Sequence, residues 1–306
     1  MLEVLFKALS FVLIIFVSYI LKQKGFFSPK DYAIVSKITL NITLPAAIIT
    51  SFANYERDNT LFLLVVLGLG INLLLLLIGA VLSYKKDRNM RIYYMLNFPG
   101  FNIGSFSMPF VQSFLGSYGV IATCMFDTGN AIMSSGGTYA ITTAVVGSKD
   151  GKKIGIEDIF KKLIHSVPFD VYIIMLALSL FNFHLPVFIS KTLSTTASAN
   201  GFMAMLMLGL MLDLNIEKQY LKEVFFLLFK RYAICAVLGV AIYFFAPLPI
   251  TVRQVLVLVL FSPSPVLTPA FTQLSDGDVG VASFSCSASI IISVVIMSIL
   301  VTLMNI

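Results

Sequence analysis

The sequence predicts an all-α polytopic membrane protein of ten transmembrane helices, and three observations predict it. The composition is 58% hydrophobic and 12% charged, against about 25% charge in ordinary soluble domains, and the mean hydropathy is +0.95. Several apolar runs reach the roughly 20 residues that a helix needs to cross a hydrocarbon core. None of them alternates in polarity, as the strands of about 9–11 residues in a membrane barrel would. Two runs are interrupted by helix breakers: Asn97–Pro109, NFPGFNIGSFSMP, and Phe261–Pro269, FSPSPVLTP. Proline removes a backbone donor and clashes with the preceding turn, and every unsatisfied backbone group in hydrocarbon is costly. Broken backbone at that depth belongs beside a protein-lined or watery cavity. A pair of interrupted segments, one per half, points to a transporter's binding site.

The ten spans fall at 5–22, 33–53, 60–83, 91–115, 118–146, 164–183, 187–213, 225–246, 252–273 and 279–304. The first contains Ala8–Leu21, which has the length of a signal-peptide core. Lys22, Lys24 and Gly25 follow it instead of a small-residue cleavage site, so it reads as a retained helix. The second holds Asn41 and Pro45, and the third is uninterrupted apart from Asn72. The fourth opens at Arg91 and contains the first break; the fifth carries Asp127 and Asn130. Gly147–His165, the longest polar segment, is the natural midpoint linker. Asp170 opens the sixth span and Asp213 ends the seventh, both at interfacial positions. Arg253 opens the ninth, which contains the second break.

Basic residues concentrate on one side of this arrangement. Lys22, Lys24, Lys30 and Lys37 belong to the first connection, and Lys85, Lys86, Arg88 and Arg91 to the third. Lys149, Lys152, Lys153, Lys161 and Lys162 belong to the fifth, and Lys218, Lys222, Lys230 and Arg231 to the seventh. Lys7, Arg57, Lys191 and Arg253 remain for the opposite side. The positive-inside rule makes the odd connections cytoplasmic and places both termini outside. The net charge of +6 then reflects loop asymmetry, and no basic stripe interleaved with aromatics suggests nucleic acid.

The linker divides the chain into residues 1–147, 148–163 and 164–306. Five spans per half force the halves into opposite orientation, an inverted repeat. Pro109 precedes Ala122 by the same 13 residues that separate Pro269 from Ala282.

The motifs resemble those of the auxin efflux carrier family and its bacterial malonate-permease-like members, within the bile-acid, arsenite and auxin carrier superfamily. Asn41, Leu44 and Pro45 in KITLNITLP resemble its N-x-x-L-P signature. Asn102, Gly104 and Pro109 resemble its N-x-G…P run, and Asp127 with Asn130 its D-x-x-N. Arg253 with Pro263 and Pro265 resembles the R…P region. The resemblance covers Leu2–Ile306. It implies that spans 4 and 9 are broken and cross each other. It also implies a scaffold of spans 1, 2, 6 and 7, often dimeric, and a mobile transport domain of spans 3–5 and 8–10. The chain departs from the family in Pro99–Gly100 ahead of Asn102 and in the SPSP of span 9, which leaves open which proline marks each crossing.

A helix broken in mid-membrane has an N-terminus with free N–H groups and about half a positive charge, ready for an anion. Asn97, Asn102, Ser105, Ser262, Ser264 and Thr268 can add hydrogen bonds there, or can satisfy the break's own orphan groups. With Gly104, Pro109, Pro263 and Pro265 they are the expected substrate contacts. Asn41 either lines the path or merely sits in a kinked helix. Asp127, nine residues into its span, is an intramembrane carboxylate and therefore a functional candidate. With Asn130 it either binds a coupling proton or sodium ion or holds the broken fourth helix.

Enzyme chemistry finds no footing. Asp127-Thr128-Gly129 spells an aspartic-protease triplet without a partner, Ser134-Ser135-Gly136-Gly137 has no histidine in any span's interior, and there is no Walker A sequence. Cys124, Cys235 and Cys286 lie in apolar runs as reduced thiols, and His165 and His184 lack a second metal ligand at a useful spacing. The expectation is a secondary carrier of small organic anions in the cell membrane, a homodimer without cofactor. An uncoupled facilitator and a ligand-binding sensor are the alternatives.

Overall fold

Every secondary-structure element among the described residues is helical, and no strand occurs among them. The computed structural model describes residues 2–28, 30–53, 61–147, 156–181, 183, 185–215 and 218–306. His184, Arg57, Lys149, Lys152 and Lys153 lie outside them.

The chain opens with α1 (Leu2–Gln23), α2 (Asp31–Phe52) and α3 (Phe62–Ser83). Asp87 caps α4 (Arg88–Asn97), accepting the Met90 N–H at 3.0 Å. After a short non-helical stretch come α5 (103–115) and α6 (117–146), separated only by Gly116, whose φ of +62° turns the chain. The amphipathic α7 (Ile156–Ile164) occupies the second half of the expected linker. The second half contains α8 (Val167–Leu180), α9 (Val187–Met211), α10 (Leu221–Phe245), α11 (Ile250–Leu260), α12 (Thr268–Leu274) and α13 (Val279–Leu303).

Among the described residues, seven helical runs are long and apolar enough to cross a membrane, and Val167–Ser179 and Ile250–Leu260 are shorter apolar helices. The run Ile103–Val146 counts once although it is bent at Gly116. Large apolar side chains such as Leu77, Val81, Phe225, Phe229 and Phe245 stand exposed on the outer faces. On a soluble protein such patches would drive association; on a multi-pass membrane protein they are the lipid-facing surface.

Close packing comes from small residues, because lipid offers no hydrophobic gain for bringing helices together. Where α3 meets α6, a Cβ on Gly68 would fall 2.1 Å from the Phe126 carbonyl oxygen, and one on Gly129 2.0 Å from that of Val65. The two backbones therefore touch. α1 packs on the second half of α9, α2 on α8 and α9, and α10 on α11.

One residue corrects the sequence reading. Arg231, assigned there to a cytoplasmic connection, is in the middle of α10 and is fully buried. It lies next to partly exposed Lys230, and a tally of charges along the chain cannot separate neighbours on different helix faces. Losing one cation from that side leaves the charge asymmetry intact.

Candidate functional site

The helical path stops at Asn97 and again at Leu260, and the two irregular stretches that follow meet. The Asn102 N–H donates to the Pro263 carbonyl at 2.9 Å, and the Ser264 hydroxyl to that of Asn97 at 3.4 Å. Ser107 and Ser262 share a short hydroxyl–hydroxyl bond. Gly100 has φ +83°, and a Cβ on it would reach 2.4 Å from Pro265 Cγ; only glycine combines that conformation with that contact. The first break therefore centres on Pro99–Gly100. Pro269 sits in the first turn of α12, where a missing N–H costs nothing, and Pro109 lies within α5 directly after its π turn.

Two buried asparagines hold the first break open. Asn130 Oδ1 accepts the Phe101 N–H at 3.1 Å and Asn72 Nδ2 at 3.2 Å. Asn130 Nδ2 donates to the Phe101 carbonyl at 3.0 Å and to Asp127 Oδ1 at 2.8 Å. Asn72 Oδ1 accepts the Gly100 N–H at 2.7 Å. Orphan backbone groups of the break are thus satisfied from α3 and α6.

A cavity of about 190 Å³ opens on one side of the meeting point. Asn102, Gly104, Ser105, Asp127, Asn130 and Pro265 line it, with Tyr172 entering from α8. Asn102 is buried; its side-chain oxygen accepts from Ser105 Oγ at 2.6 Å, while its Nδ2 has no partner. The N–H groups of Gly104 and Ser105 at the start of α5 take no acceptor among the described residues. Asp127 is buried, and its second oxygen accepts from Tyr172 Oη at 2.9 Å, a bond from α8 to α6.

Three π-helical turns, Thr39–Thr43, Ile103–Ser107 and Met133–Gly137, each place residues on this cavity: Leu40, Ile103–Ser105 and Ser134–Ser135. Single π turns recur at functional sites because they widen a helix and free its hydrogen-bonding groups.

The expected site residues divide into two groups. Asn102, Gly104, Ser105, Pro265, Asp127 and Asn130 come together on the cavity. Asn97, Ser262, Pro263, Ser264 and Thr268 are at the breaks without lining it, and Pro109 is buried in helix. Asn41 stands apart: it is exposed, and its Nδ2 folds back onto the Lys37 carbonyl at 2.8 Å. Leu40 and Leu44 face the cavity in its place.

Sequence reasoning missed Tyr172 and Arg231, and gave Asn72 no partner. Gln112 accepts from Asn200 at 3.2 Å, and Asn72 serves the break. A tyrosine in an apolar helix carries no signal of the carboxylate it meets. Among the described residues, no group of three His, Cys, Asp or Glu gathers to hold a metal ion.

A family model described as a membrane transport protein matches residues 4–167, more than half of the chain. No curated protein matches it.

Proposed function

The chain belongs to the membrane transport protein family, and on that premise we propose that it carries small organic anions through the cavity beside the two breaks. The observation that carries this is the free amide of Asn102 together with the unpaired N–H groups of Gly104 and Ser105. A helix N-terminus holds about half a positive charge, and a buried donor without an acceptor costs about 1–3 kcal/mol. A carboxylate removes both penalties at once.

Size narrows the class. A cavity near 150 Å³ admits benzene, so about 190 Å³ suits a short mono- or dicarboxylate of the malonate kind better than an indole-bearing acid. Asp127 lines the same space, so an anion enters at least cost when a proton or a sodium ion neutralises that carboxylate. This favours coupling through Asp127.

The wider reading has ten spans: the bent run counts as two, and α4 with α5 and α11 with α12 each form one interrupted span. They form two inverted halves, with α3–α6 and α10–α13 moving as an elevator against a dimeric scaffold of α1, α2, α8 and α9. The Tyr172–Asp127 bond would break in that movement. With the basic connections cytoplasmic, the termini face outside the cell membrane and the cavity opens inward.

The test is melting of the purified protein with malonate and its homologues, followed by counterflow of the labelled anion in proteoliposomes. Bound anion raises the melting temperature by mass action. Asn102→Ala is expected to weaken binding about tenfold or more, since a hydrogen bond to a charged group contributes about 1.5–3 kcal/mol. Unchanged affinity in that variant would move the site elsewhere, and binding without counterflow would make the protein a sensor.

A further inference from the structure

The anion site makes no use of the cation buried in α10. The Arg231 side chain is 0% exposed, and among the described residues no carboxylate pairs with it. Its partners are neutral oxygens. Nη2 donates to the Gly100 carbonyl at 2.6 Å and to the Ser262 carbonyl at 3.1 Å, and Nη1 to Ser264 Oγ at 3.3 Å. The guanidinium carbon also lies 5.5 Å from the centre of the Phe101 ring.

Both carbonyls belong to helix ends. Gly100 is three residues beyond the last residue of α4, and Ser262 two beyond that of α11. Each helix C-terminus carries about half a negative charge, so two of them meeting present roughly one. One guanidinium balances it. Unwound carbonyls and half-helix C-termini are also the groups that coordinate the free cation in ion-coupled carriers built from interrupted helices. We infer that Arg231 is a tethered cation holding the place between the two breaks that a sodium ion would otherwise take, so that this chain needs no sodium there. Arginine suits the task because its planar fork reaches several oxygens at once and does not lose its proton.

The inference rests on the proposed transport only for its flux arm, and a thermal arm tests it without any anion. Arg231→Ala is purified, and its melting temperature is read in choline, sodium and millimolar guanidinium chloride beside the wild type. The expected result is a lowered melting temperature in choline that sodium or guanidinium raises towards the wild-type value. The wild type gains less from either ion than Arg231→Ala does. Arg231→Lys, which keeps a charge but not the planar fork, is expected to melt between Arg231→Ala and the wild type and to gain nothing further from sodium, and it carries the test if Arg231→Ala does not fold. The inference is overturned if Arg231→Ala melts like the wild type, if no small cation restores it, or if Arg231→Lys requires sodium. In the flux arm, Arg231→Lys counterflow is expected to keep the sodium dependence of the wild type, and a sodium requirement gained by that variant alone would overturn the inference. Absence of counterflow in every salt would count against the transport reading instead, and the melting data would still decide the role of Arg231.

Discussion

Replacing Asn130 by alanine tests whether the asparagine pair holds the first break open. The substitution leaves the Phe101 N–H without an acceptor and Asp127 Oδ1 without a donor. The Phe101 carbonyl keeps the Ile103 N–H at 3.1 Å, and Asn72 Nδ2 keeps the Gly68 carbonyl at 2.7 Å. Two buried groups are thus newly unpaired at about 1–3 kcal/mol each, a loss of roughly 2–6 kcal/mol. At about 2–4 °C per kcal/mol for a chain of this order, the melting temperature should fall by on the order of 5–20 °C. The assay is intrinsic-fluorescence melting in detergent at fixed scan rate, because such unfolding is governed by rate as well as equilibrium. A cycle with Asn72→Ala sharpens it. That variant orphans the Gly100 N–H, bonded at 2.7 Å, within the same network, so the double variant should lose less than the sum by about 0.5–3 kcal/mol. Asn130→Ala melting with the wild type, or strict additivity in the cycle, would refute the role assigned to the pair.

Two further outcomes follow from the same geometry. Tyr172→Phe removes only the hydroxyl that bonds Asp127 at 2.9 Å; it should cost little in melting while changing counterflow rate and its proton dependence severalfold. Unaltered rate and proton dependence would count against coupling through Asp127. Gly100→Ala puts a Cβ 2.4 Å from Pro265 Cγ at φ +83°. The left-handed backbone alone costs roughly 1–2 kcal/mol and the clash adds to it, so folded yield and melting temperature should both drop clearly. Wild-type melting would mean that the two breaks are not in tight contact.

The sequence by itself determined the membrane class and the two stretches where regular helix gives way, after Asn97 and after Leu260. Composition is a bulk property that survives any folding, and proline and glycine act on the backbone at the residue where they stand. Asn97–Pro109 and Phe261–Pro269 were legible for that reason, as were Asn102 and Asp127 as polar groups out of place. The tertiary structure alone decided what those polar groups meet. Arg231 reads as one more loop cation until α10 sets it against the carbonyls of Gly100 and Ser262. Asn41 reads as a cavity residue until its turn rotates it outward and presents Leu40 and Leu44. Tyr172 lies 45 residues from Asp127 along the chain, and the three π turns have no local signature. Such pairings depend on helix rotation and on contacts distant in sequence, and neither is encoded in any short stretch of residues.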